Sequence, residues 1–242
     1  MASNFKVRKY SSRIALLLQR KSLATVLAIL LQLGRAHEPS RRMRQAIDGV
    51  SNLYGPGGRK YLTSAERKRF GKAAECAASR VRLFCLILLW SGGRVSEILA
   101  LTPSDIDLEL GVASIETLKR RSRGIIRQVP LPRHLLGELD SEFQIGAARR
   151  NPLLARCRLW TWSRTTAWRR VKRVMAAAGI TGACAMPKGL RHAFGVKAFQ
   201  TKVPPHLVQR WLGHASLRTT ALYGDVIGHE ERLIAARMWR GG

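Results

Sequence analysis

The chain has 242 residues, 46% of them hydrophobic, enough for one or two folded domains with an ordinary core. Its charge is not ordinary: 43 Lys plus Arg against 15 Asp plus Glu give a formal net charge of +28. That excess says nothing about fold but favours a polyanionic partner, DNA or RNA first, and on charge alone an anionic membrane surface stays open. The cations are spread along apolar-periodic sequence, which excludes a disordered basic tail as their main source. Cys76, Cys85, Cys157 and Cys184 form neither a Cys-x-x-Cys pair nor a Cys/His cluster of zinc spacing. Cys76 and Cys85 stand in apolar helix-like sequence and read as buried free thiols, which fits a reducing, intracellular, cytoplasmic setting.

In chain order, residues 1–57 read as a short basic helical segment. A helix capped by Ser11 or Ser12 runs to Gly34, and a second runs from Ser40 to Asp48. The apolar stretch Leu23 to Leu33, with Ile14 to Leu18 before it, is interrupted by Gln19, Arg20 and Lys21. Each run falls short of the roughly 20 residues a membrane span needs, so a buried amphipathic helix is expected and no membrane partner. Gly34-Arg35-Ala36-His37 is a poor signal-peptide cleavage site. Tyr54-Gly55-Pro56-Gly57-Gly58 breaks the chain and sets the expected boundary, with a second domain over 58–242.

Thr63-Ser64-Ala65-Glu66 is a capping box opening a helix to about Ala78. Arg80 to Ser91 is apolar on all sides and reads as the central core helix. Gly92-Gly93 turns the backbone sharply, so that Arg94 opens the next helix. Thr102-Pro103-Ser104-Asp105 reads as a helix start. Strands are predicted over Val112 to Thr117 and Gly124 to Leu131, joined by a basic tip, Leu118-Lys119-Arg120-Arg121-Ser122-Arg123. Pro132 to Gln144 reads as a helix and Gly146 to Pro152 as a basic loop. The helix from Thr161 to Ala178 carries Arg164, Arg169, Arg170, Lys172 and Arg173, with Trp162 and Trp168 read as core. Helices follow over Lys188 to Gln200, Val203 to Leu212 and Ser216 to Tyr223. Val226 to Trp239 is a terminal amphipathic helix, docked on its own core or on a neighbouring protomer.

The chemistry-bearing stretch is Pro187 to Tyr223. Lys188 and Arg191, three apart, share a helix face and suit a phosphate. Leu212-Gly213-His214 follows, then Tyr223, whose phenol is a possible nucleophile. Taken singly these are ordinary features: a lone tyrosine at helical spacing is usually packing, Gly-His is usually a helix end, and Arg94 beside Glu97 is usually a surface ion pair.

Together they resemble the tyrosine recombinases of the phage-integrase family. Gly92-Gly93-Arg94-Val95-Ser96-Glu97-Ile98 is similar to that family's first box. Lys188-Gly189-Leu190-Arg191-His192 is similar to the second, with Lys188 where the family usually has histidine, and Leu212-Gly213-His214 with Tyr223 is similar to the third. The resemblance covers roughly Tyr61 to Trp239. It implies a mainly α fold with a small antiparallel β-sheet, a recombinase catalytic domain preceded by a reduced N-terminal segment.

It also implies DNA strand exchange without metal, ATP or other cofactor, and no phosphate-binding Gly-rich loop or carboxylate cluster speaks against this. Tyr223 attacks a backbone phosphate to give a 3′-phosphotyrosyl link. Arg94 and Arg191 hold the phosphorane oxygens, while His214 bonds the phosphate or orients Tyr223. Lys119 on the hairpin tip protonates the leaving 5′-oxygen, and Lys188 acts as a third cation. Glu97 orients the arginines, and His192 packs or hydrogen-bonds behind the site. The helix carrying Arg164 enters the DNA major groove, where arginine reads guanine, with Arg120 and Arg121 as further DNA contacts. Double-stranded DNA and a homo-oligomeric, tetrameric synapse are the implied partners. A type IB topoisomerase-like enzyme and a non-catalytic DNA-binding regulator of the same fold remain alternatives.

Overall fold

The computed structural model describes residues 53–55, 58–118 and 124–224, together with residues 232, 235, 236, 238 and 239. The chain divides into two compact units, Met1–Ile47 and Asp48–Gly242, and all described residues belong to the second. The helices expected before residue 49, the hairpin tip with Lys119, Arg120 and Arg121, and most of the terminal helix lie outside the described residues.

On either side of the Gly-Pro-Gly-Gly break, β1 (Tyr54–Gly55) pairs antiparallel with β2 (Gly58–Arg59). The first helix, α1 (Ser64–Glu75), starts where the capping box demands. Thr63 Oγ1 accepts from the Glu66 amide, and the Glu66 carboxylate accepts from the Thr63 amide, so two orphan donors are satisfied reciprocally. It stops short of Ala78, and Cys76 lies exposed just past its end, not buried as its apolar neighbours suggested. Next comes α2 (Ser79–Ser91), buried continuously from Leu83 to Leu89. Each such aliphatic or aromatic side chain contributes on the order of 1.5–3 kcal/mol on burial, which makes α2 the axis of the core. Trp90 departs from the pattern: it faces outward, with the Arg67 guanidinium over its ring.

Gly92 adopts a left-handed conformation, φ +62°, and a Cβ there would stand 2.7 Å from the Phe194 ring, so no other residue fits this turn. Behind it comes α3 (Val95–Leu99), with Arg94 as its N-cap. Thr102-Pro103 starts only a single 3₁₀ turn, Pro103–Asp105. The chain then enters β3 (Ile106–Asp107), which pairs antiparallel with β4 (Val112–Glu116); β4 pairs with β5 (Ile126–Pro130). The sheet therefore has one strand more than the sequence suggested, because a two-residue strand carries no period to read.

Next come α4 (Arg133–Phe143) and α5 (Ile145–Ala148), the latter a short helix in what reads as loop. Ser163 caps α6 (Arg164–Ala177), accepting from the Thr166 amide. The last described elements are α7 (Pro187–Gln200), α8 (Pro205–Leu212) and α9 (Leu217–Ala221). Both α1 and α7 pack on α2, and α8 lies against both α7 and β5. These contacts bring the turn at Gly92, strand β5, the middle of α7 and the end of α8 to one place.

Candidate active site

Arg94 is the N-cap of α3 by position, and its partner is three residues on. The Arg94 amide donates to Glu97 Oε2 at 2.9 Å, and its guanidinium donates to Glu97 Oε1 at 2.6 Å. The Arg94 side chain stays 38% exposed while that of Glu97 is 1% exposed. The second partner of Glu97 is Arg127, whose Nη2 donates to Oε2 at 2.5 Å. Arg127 is also held by Thr117 Oγ1 and by the Trp211 carbonyl. Glu97 thus joins Arg94 to Arg127, and not Arg94 to Arg191 as expected. Burial alone would raise the Glu97 carboxyl, but Arg127, the Arg94 amide and the Arg94 guanidinium outweigh it and hold it below the usual carboxylate range.

Arg127 is the residue that sequence reasoning missed. It is 3% exposed, on a strand whose neighbour Ile126 is 66% exposed. The alternation in β5 is therefore inverted: Arg127 and Val129 face in, while Ile126, Gln128 and Pro130 face out. The arginine alternates in register with inward-facing Val129, a signal present in the sequence but masked by the surrounding run of cations.

Arg191 lies in the middle of α7. Its Nη1 donates to the Gly92 carbonyl at 2.8 Å and its Nη2 to the Leu212 carbonyl at 2.6 Å. Each terminal nitrogen keeps a second hydrogen for a ligand. Burial, then the nearby Arg94, push its guanidinium down to about 10, which leaves it charged at neutral pH. Gly213 closes α8 in the left-handed conformation, and His214 follows. The Nδ1 atom of His214 bonds Thr220 Oγ1 at 2.9 Å.

Tyr223 sits two residues beyond α9 in a turn, and not within a helix as the pattern suggested. It is 3% exposed. Its ring stacks on His214, with centroids 6.0 Å apart and planes 16° from parallel. It also lies against Gly195, where a Cβ would come within 2.6 Å of the ring. The hydroxyl is 3.2 Å from His192 Nδ1. Burial raises the phenol above its ordinary value, although Arg191 and Arg94 oppose the shift. Burial and the surrounding cations push His214 down to about 3, so it stands neutral beside the phenol.

Lys188 is exposed one turn before His192 on α7 and acts on that imidazole electrostatically; no hydrogen bond ties it down among the described residues. Two guanidiniums, two neutral imidazoles and a phenol therefore converge. Such a cluster can hold an oxyanion and present it to a nucleophile.

The basic helix α6 divides. Arg164, Arg169 and Arg173 are exposed. Arg170 instead lies over the Trp162 ring at 4.1 Å, and Lys172 donates to the Ala185 carbonyl at 2.7 Å, so both are engaged within the fold. Trp162 packs edge-on to Phe84 as part of the core margin, whereas Trp168 is 44% exposed and is not core.

This fold is that of a known class. A family model described as the phage integrase family matches residues 60–228, and the chain belongs to that family. It is 31% identical over 170 residues to the tyrosine recombinase XerA of Thermococcus kodakarensis, covering 69% of this chain and 58% of that relative. It is 30% identical over 217 residues to the tyrosine recombinase XerD of Mycobacterium tuberculosis, covering 86% of this chain and 63% of that relative. The chain thus spans about three fifths of the length of the curated relatives it matches. Among solved structures, a XerA recombinase superposes with a TM-score of 0.62 at 21% identity, covering 98% of this chain and 93% of that one. A XerH site-specific recombinase bound to a palindromic difH substrate in a post-cleavage complex gives a TM-score of 0.60 at 24% identity, covering 75% and 53%. These superpositions bear out the expected fold, mainly helical with a small antiparallel sheet. No described helix is long and apolar enough to cross a membrane.

Proposed function

We propose that this chain is a site-specific DNA recombinase that breaks and rejoins DNA through a 3′-phosphotyrosyl intermediate. The observation that carries the reading is Tyr223, a phenol held between His192 and His214 and under the field of Arg191 and Arg94. In the reaction the Tyr223 oxygen attacks a backbone phosphorus and the bond to the 5′-oxygen breaks. The energy of the phosphodiester is kept in the new link, so a 5′-hydroxyl from a partner duplex reverses the step.

The pentavalent transition state places negative charge on its non-bridging oxygens. Arg94 and Arg191 receive that charge through donors already aligned, and losing one such donor costs about 3–4 kcal/mol. His214 offers Nε2 to the phosphate while Thr220 fixes its ring. Lys188 adds a third cation, and Lys119 supplies the proton to the leaving 5′-oxygen. Glu97 and Arg127 hold Arg94 in place from behind. Arg164, Arg169 and Arg173 are the α6 cations available to double-stranded DNA, and Arg120 and Arg121 extend the contact from the hairpin tip. Residues 1–57 add cations for the same duplex, and two or more protomers assemble on DNA in the cytoplasm. Affinity then rests on phosphate contacts and falls steeply with salt.

The test is a covalent adduct. The wild-type protein, incubated with nicked duplexes carrying a randomised core and denatured, should retain DNA on Tyr223. Tyr223→Phe removes one oxygen, so adducts should vanish while retention on a filter at low salt persists. Adducts that persist in Tyr223→Phe, or that map to Tyr10, Tyr54 or Tyr61, overturn the assignment.

A further inference from the structure

Attack by Tyr223 requires that its phenolic proton go somewhere, and a lysine ammonium such as that of Lys188 has three donors and no lone pair to accept it. We propose that His192 is the group that accepts this proton, a catalytic role that rests on Tyr223 being the nucleophile. His192 Nδ1 is the ring nitrogen 3.2 Å from the Tyr223 hydroxyl, and no other titratable side chain is hydrogen-bonded to that oxygen among the described residues. His192 Nε2 is buried and has no hydrogen-bond partner among the described residues. A neutral imidazole carries one N–H and one lone pair. With the hydrogen on Nε2, the Nδ1 lone pair faces the phenol, which donates to it.

The step balances. The Tyr223 O–H bond breaks and its proton goes to Nδ1, giving an imidazolium. The freed oxygen pair forms the bond to phosphorus, and the bond from phosphorus to the 5′-oxygen breaks, that oxygen taking a proton from Lys119. In the reverse step the imidazolium returns its proton to the departing tyrosyl oxygen.

The groups facing His192 also make the transfer dependent on substrate. Lys188 and Arg191 flank it on α7, Lys60 after β2 acts on it electrostatically, and His214 and Tyr223 complete its surroundings. Burial, then Lys188, Arg191 and Lys60, push the imidazole down to about 4, so without DNA it is a neutral but weak base. A phosphodiester arriving at these cations cancels part of their field and raises the basicity of Nδ1 at the moment the nucleophile is needed.

Two measurements decide the proposal. In the intact protein without DNA, ¹⁵N-histidine NMR should find His192 neutral at pH 7 with its hydrogen on Nε2; a hydrogen on Nδ1 would make the phenol an acceptor and overturns the proposal. In single-turnover adduct formation on the randomised nicked duplexes, His192→Gln keeps a hydrogen-bonding amide but cannot take a proton. Its rate at pH 7 should fall about 100-fold or more, with DNA retention unchanged. The residual rate should climb tenfold per pH unit up to pH 9, as expected when the phenolate must form beforehand. A His192→Gln rate equal to or above wild type shows that the bond is only a resting latch and overturns the proposal. So does a loss of the pH dependence in Lys188→Gln with His192→Gln unaffected. Absence of any adduct from the wild-type protein counts against the recombinase reading itself, and the tautomer measurement still judges His192.

Discussion

The two halves of the site are built on opposite electrostatic principles. On one side Arg94, Glu97 and Arg127 form a continuous chain of charge, with Arg127 and Glu97 buried and Arg94 reaching solvent. On the other, Tyr223, His192 and His214 are desolvated and neutral. The charged half can be assembled in advance because the buried Arg127 and Glu97 are each other's counter-charge. The neutral half keeps the nucleophile protonated and shielded, because a phenolate in that pocket would lose hydration worth several kcal/mol. The difference teaches that, on the function proposed above, the part of the site assigned to the anion is ready before substrate arrives, whereas the part assigned to the nucleophile waits for the substrate's own charge.

Breaking the charged half from behind should produce the largest effect on folding. Arg127→Met leaves the buried Glu97 carboxylate with Arg94 alone and removes the bonds to Thr117 and the Trp211 carbonyl. We expect a loss of about 3–5 kcal/mol, read as a shift in the urea midpoint. An unchanged midpoint would show that the chain of charge is not what orders this half. Breaking the same half at its exposed end should separate stability from rate. Arg94→Ala should move the midpoint little, since the side chain is partly solvated, yet slow adduct formation by about 10²–10³. Equal losses in both measurements would refute the division of labour between Arg94 and Arg127.

The neutral half is tested at its packing. Gly195→Ala places a methyl group against the Tyr223 ring. Displacing the ring should cost about 1–3 kcal/mol and bring the phenol's spectrophotometric titration down toward pH 10 as it gains solvent. A phenol that still titrates high would mean that the ring is held by something other than this contact. The remaining test is a pH slope. His192 and His214 lie near 4 and 3 when folded but near 6.5 when unfolded, so between those values the unfolded chain binds more protons. Their contribution to stability is therefore complete above about pH 6.5 and is lost as the pH falls toward 4 and then 3. Unfolding free energy measured from pH 7 to pH 4 should fall as pH falls, and His192→Gln should remove part of the slope. A flat profile would show that these rings are not desolvated.

What the sequence by itself determined was local and periodic. The Thr63–Glu66 capping box, the all-apolar run of α2 and the glycines at the ends of α2 and α8 each state a physical requirement within a few residues. The boxes around Arg94, Arg191, His214 and Tyr223 carried family membership, because residue order along a chain survives without knowledge of its folding. Only the tertiary structure decided which groups face one another. Arg127 and Glu97 are 30 residues apart, and His192 and Tyr223 are 31 apart. No helical or strand period spans such distances. Whether Lys172 remains available to a ligand depends on the Ala185 carbonyl, whether Cys76 is buried depends on where α1 stops, and whether Trp168 is core depends on which face of α6 meets α1 and α3. The inward turn of Arg127 follows from the register of β5, and register is set by the partner strand, since a one-residue slip would move the arginine to the other face of the sheet.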